Sequence, residues 1–149
     1  MKVKVSRKKR VVITAIMAIV LVMVMTGCGG VDFIATVQQH RPMAAFGQND
    51  TNNAVVNRFV ASPRWSASSS GNTTYVEMNG TLRGWGDDFQ IRWRVTAADG
   101  GRITDGSSIY ITPSFISLGN ENITRSNEAL EFLLFMFEAF ELGYEHLPW

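Results

Sequence analysis

The sequence predicts an α+β fold, a three-stranded antiparallel meander with an N-terminal and a C-terminal helix packed on one of its faces. Three observations lead there. Between residues 73 and 112 the apolar residues recur with period two, and on either side of that region they recur at helical spacing. The segments are joined by short Gly- and Asp-rich stretches, which favour antiparallel neighbours. From Cys28 to Trp149 the chain has 122 residues, enough for one hydrophobic core and too few for two.

Residues 28–49 read as a tether and leading loop, because Gly29-Gly30 is a flexible joint, no period follows it, and His40-Arg41-Pro42 interrupts any helix. A single domain then occupies residues 50–149. Asp50 and Thr51 are good N-cap residues, and Ala54, Val55, Val56 and Phe59 supply an apolar stripe, so a helix is expected from about Thr51 to Ala61, ended by Ser62-Pro63. Trp65 follows and can close over the helix end. Ser66 to Asn72 reads as a loop from its serine run and Gly71.

Val76, Met78 and Leu82 then alternate with Tyr75, Glu77, Asn79 and Thr81 in a first strand. Beyond the turn Gly84 to Asp88, Phe89, Ile91, Trp93 and Val95 alternate with Gln90, Arg92, Arg94 and Thr96 in a second. Asp99-Gly100-Gly101 marks another turn. Ile109 and Ile111 alternate with Tyr110 and Thr112 in a third strand, which Pro113 is expected to stop. Gly119 to Asn122 reads as a loop. The last helix is capped by Thr124 or Ser126 and runs to about Leu142, with Ala129, Leu130, Leu133, Leu134, Phe137 and Phe140 on one side and Glu128, Glu131, Glu138 and Glu141 largely on the other. Gly143 suits its C-terminus. This α-β-β-β-α order, with Pro63-Arg64-Trp65 at the end of its first helix, resembles small uncharacterised domains of exported or membrane-anchored bacterial proteins, a likeness that covers about residues 50–142 and implies no active site.

The chain opens differently. Lys2, Lys4, Arg7, Lys8, Lys9 and Arg10 precede the uncharged run Val11 to Met25, which is shorter than the roughly 20 residues a spanning helix needs but suits the apolar region of an export signal. Met25-Thr26-Gly27-Cys28 resembles the lipobox of bacterial lipoproteins. That resemblance implies that residues 1–27 are a signal peptide, that Cys28 is lipidated with palmitate-type chains, and that the protein is held by its lipid anchor at the cell membrane, on the extracytoplasmic face. Two acyl chains, at about 0.8 kcal/mol per buried methylene, give durable anchoring.

Removing that segment takes six of the 14 basic residues, leaving 8 against 13 acidic and a net charge of −5 in a part of the chain without lysine. Such a domain repels phosphate backbones, so nucleic acid is not the expected partner. Cys28 is the only cysteine, so neither an internal disulfide nor a cysteine metal site can form.

Residues that could carry catalysis are sparse. The two histidines, His40 and His146, fall outside the predicted elements and read as surface residues; Asp87, Asp88 and Asp99 sit at turns, where Asp is favoured for backbone reasons. The glutamates of the last helix lie opposite its apolar stripe. No cofactor, metal site or enzymatic activity is therefore expected. The remaining feature is the outward face of the sheet, where Tyr75, Arg92, Arg94 and Tyr110 are candidate partner-contact residues, being types enriched in protein interfaces. The expectation is a non-catalytic binding or accessory module for another envelope protein. The alternative is a small-ligand or enzymatic pocket between helices and sheet, lined by Trp65, Trp85, Trp93 and Phe residues.

Overall fold

A computed structural model describes residues 31–148 together with the two-residue strand Met23–Val24; that strand falls within the expected signal segment, and Cys28 and the remainder of the segment lie outside the described residues. The elements are β1 (Met23–Val24), α1 (Phe33–Gln39), a 3-10 turn (Ala44–Phe46), α2 (Asn52–Phe59), β2 (Val60–Ser70), β3 (Thr73–Leu82), β4 (Asp88–Ala97), β5 (Ser108–Leu118), β6 (Glu121–Ile123) and α3 (Ser126–Glu141).

The three-stranded meander is overturned. The sheet has six antiparallel strands in the order β1-β5-β4-β3-β2, with β6 also beside β5. Its body is a meander of four long strands, because the serine-rich stretch expected to be a loop is the outer half of β2. Val60 follows α2 directly, and Ser66 to Ser70 pair with Glu77 to Thr73 across a two-residue turn. In that turn Gly71 takes a positive φ of 60° and Asn72 does not, the pattern of a II′ hairpin. Small uncharged serines do not prefer strands, but here an existing neighbour supplies every backbone hydrogen-bonding partner on one side.

Nor does Ser62-Pro63 end the first helix as expected: α2 stops at Phe59, short of Ala61, and the dipeptide lies inside β2. The pairs Ala61↔Thr81 and Arg64↔Asn79 enclose one extra residue on β2, a bulge in which Ser62 adopts a φ of 50°. Bulged edge strands tolerate proline because no ladder bond is lost there. Gly80 faces the bulge, where a Cβ would run into the Val60 side chain and come within 2.9 Å of the Ala61 carbonyl oxygen. Pro113 is accommodated by the same device: Trp93↔Pro113 and Arg92↔Phe115 leave Ser114 as an extra residue, its Oγ donating to the Arg92 carbonyl at 3.2 Å.

Helix boundaries follow local chemistry. Thr51 caps α2 by accepting from the Ala54 amide at 3.2 Å. Gly143 at φ 77° ends α3 in a Schellman motif, with Tyr144 N donating to Ala139 O and Gly143 N to Phe140 O, each at 3.0 Å. Residues 29–49, read as tether and loop, contain α1, two turns long and started by Asp32, whose Oδ1 accepts from the Ala35 amide.

All three helices contribute to one core with the inner face of the sheet. Val37, Val55, Phe59, Ala129, Leu133 and Phe137 join Met78, Ile91, Trp93, Ile109 and Ile116, all buried. Each of the larger aliphatic and phenyl side chains among them is worth about 1.5–3 kcal/mol in transfer free energy. Behind Gly143 the chain returns to this core, where Leu147 is 3 % exposed. No described helix is long and apolar enough to cross a membrane.

Candidate functional site

The face of the sheet away from the helices carries a grid fixed by strand register. One row is Ser68, Tyr75, Arg94 and Thr112, and the next is Ser66, Glu77, Arg92 and Phe115. A third is Arg64, Asn79, Gln90 and Ser117. Most of these side chains are half-buried by their neighbours, while Arg64, Ser66, Ser68 and Arg94 are exposed. Of the four candidate contact residues, Tyr75, Arg92 and Arg94 are brought together. Tyr110 lies on the same face one row further, opposite Thr96.

Arg92 is the centre of this arrangement. Its Nε donates to Glu77 Oε1 at 2.5 Å, and the other carboxylate oxygen accepts from Gln90 Nε2 at 3.2 Å. Its guanidinium lies over the Phe115 ring, 5.3 Å from the centroid, and beside the Tyr75 ring at 5.9 Å. Cross-strand charge pairing of this half-exposed kind contributes less than about 1 kcal/mol to stability; its effect is to hold the arginine still. Phe115 escapes the reading from sequence because Pro113 is taken there as the end of the strand, and strict alternation carried past it would point Phe115 into the core. The bulge at Ser114 reverses that, and a proline inside an otherwise regular strand is the signal that could have found it.

Beside the arginine cluster, at the end of the sheet where the β2 bulge lies, a half-open groove of about 690 Å³ is lined mainly by polar residues, among them Arg64, Asn79, Asp88, Gln90 and Ser117. A smaller cleft of about 430 Å³ lies between the β3–β4 turn and the C-terminal tail, formed by Trp85, Tyr144 and His146 among others. The three tryptophans proposed to line an internal pocket are not arranged as one. Trp65 and Trp93 stack on each other at 5.4 Å, filling the inner face, whereas Trp85 is 52 % exposed on its turn.

The histidines separate. His146 is exposed in the tail, its ring against Gly84. His40, read as a surface residue, is buried. Its carbonyl accepts from the Asn52 amide at 3.0 Å, Asn52 Nδ2 donates to the Val37 carbonyl at 2.9 Å, and both His40 Nδ1 and Asn52 Oδ1 lack a partner among the described residues. Burial without a compensating charge lowers the His40 pKa to about 4. The missing signal was α1, which turns residues 33–40 back onto the core.

Among the described residues no group of three or more His, Cys, Asp or Glu is placed to hold a metal ion. Asp99 acts on its own turn, accepting from the Gly101 amide at 2.9 Å. Glu128, Glu138 and Glu141 are exposed and Glu131 is half-buried. No protein-family model matches the chain, and neither a curated protein nor a solved structure was found to be similar to it.

Proposed function

We propose that the chain is a lipid-anchored extracytoplasmic lipoprotein, tethered through Cys28, that acts as a non-catalytic binding or accessory module and meets another envelope protein with the outer face of its sheet. The observation that carries this reading is the Tyr75–Arg92–Phe115 cluster, an arginine stacked between rings and steadied by Glu77 on a sheet face that no described helix covers. Aromatic and arginine side chains concentrate binding energy in interfaces. The lipobox-like Met25 to Cys28 supports the anchor, and the lysine-free, acidic composition behind it speaks against nucleic acid as partner.

Two experiments test the two halves of this reading. Labelled palmitate is incorporated into the wild type and not into Cys28→Ala; absence of label from the wild type removes the anchor. A photo-crosslinking residue at Tyr110 captures an envelope protein from intact cells, and the triple change Arg92→Ala, Arg94→Ala, Tyr110→Ala abolishes co-purification of that protein while the fold is retained. Unchanged co-purification removes this face from the function.

A further inference from the structure

The outer face is charged unlike the domain that bears it. Of the mature chain's thirteen carboxylates only Glu77 and Asp88 stand on it, against Arg64, Arg92 and Arg94. Glu77 is committed to Arg92 and Gln90, and Asp88, in the row beyond Arg64, lines the groove. A guanidinium has five N–H donors, and Arg92 uses one of them on Glu77; its terminal nitrogens make no hydrogen bond among the described residues. Arg64 and Arg94 make no ion pair among the described residues.

Arg92 is also preorganised. Rings at 5.3 and 5.9 Å and a carboxylate at Nε fix the plane of its fork, so less rotamer freedom is lost when a ligand docks. Arg94 stands two residues along the same strand face, about 7 Å away by strand geometry. That spacing is also the spacing of alternate residues in an extended peptide.

Resting on the reading of this face as a contact surface, we propose that its occupant is an extended acidic peptide segment of a partner protein, with carboxylates at alternating positions. One carboxylate meets the open fork of Arg92 in bidentate fashion and the next meets Arg94. The groove beside Arg64 receives the segment's end. Tyr75 and Phe115 shield the contacts from water on either side of Arg92.

The test uses the processed protein extracted from membranes in detergent and the fluorescein-labelled hexapeptide Val-Glu-Val-Glu-Val-Glu, with the Val-Gln peptide as control. Anisotropy should show saturable binding of the Glu peptide, weakened by added salt, and no binding of the Gln peptide. Arg94→Gln should weaken binding about tenfold, the loss of one charge-assisted contact. Thermal melts of the variant report the fold. Equal binding of the Gln peptide, or binding to phosphatidylglycerol vesicles that the Glu peptide does not displace, overturns the proposal. If the Tyr110 cross-link persists while the Glu peptide fails to bind, the acidic segment is wrong and the contact surface stands; loss of both removes both.

Discussion

The two faces of β4 share one backbone and ten residues and are built on different principles. On the inner face Phe89, Ile91, Trp93 and Val95 are each at most 2 % exposed, and volume decides which residue is tolerated. On the outer face Gln90, Arg92 and Thr96 are half-buried and Arg94 is exposed, and what matters there is how charges and rings are arranged. The inner face holds the fold together while the outer contributes little to stability, which leaves it free to be specialised for contact.

The largest effect should come from breaking the inner face. Trp93→Ala removes a fully buried ring and its stack on Trp65, and should cost about 3–5 kcal/mol in denaturant unfolding. Acid should reach the same interior through His40. Its pKa of about 4 in the folded chain lies below the ordinary 6.5, so the unfolded chain binds the proton first as pH falls. Stability is therefore full above about pH 6.5 and falls between 6.5 and 4, by about 2 kcal/mol at pH 5. His40→Leu should flatten that part of the profile. Gly80→Ala, which sets a methyl group against Val60 and the Ala61 carbonyl, should cost about 1–3 kcal/mol and strain the β2 bulge. The smallest effect sharpens the contrast: Arg94→Gln should change unfolding free energy by less than about 0.5 kcal/mol, because the side chain is exposed and unpaired among the described residues. A loss of several kcal/mol there would show that the outer face is structural after all.

Much of this contrast was legible before the structure. Period two in β3 and β4 assigns Trp93 inward and Arg92 outward, and α2 and α3 follow their apolar stripes, Thr51 and Gly143 marking the ends where capping chemistry requires. Where the reading failed, the deciding interactions were not local. Ser66 to Ser70 carry no strand preference and become β2 only because Thr73 to Glu77 lie alongside. Pro63 and Pro113 look like stops, yet each sits at a bulge that absorbs it, and the second bulge turns Phe115 outward to complete the arginine cluster. Short α1 shows no period, so the burial of His40 that it brings about was invisible as well.

The buried Leu147 carries a consequence for how the molecule comes into being. A chain made from its N-terminus can pair β2 to β5 as they emerge, but the core remains open until α3 and the segment behind Gly143 are released, since Leu147 is buried among the same side chains. Closure of the interior is thus a late event in synthesis: a product that lacks Leu147 exposes a gap in its core.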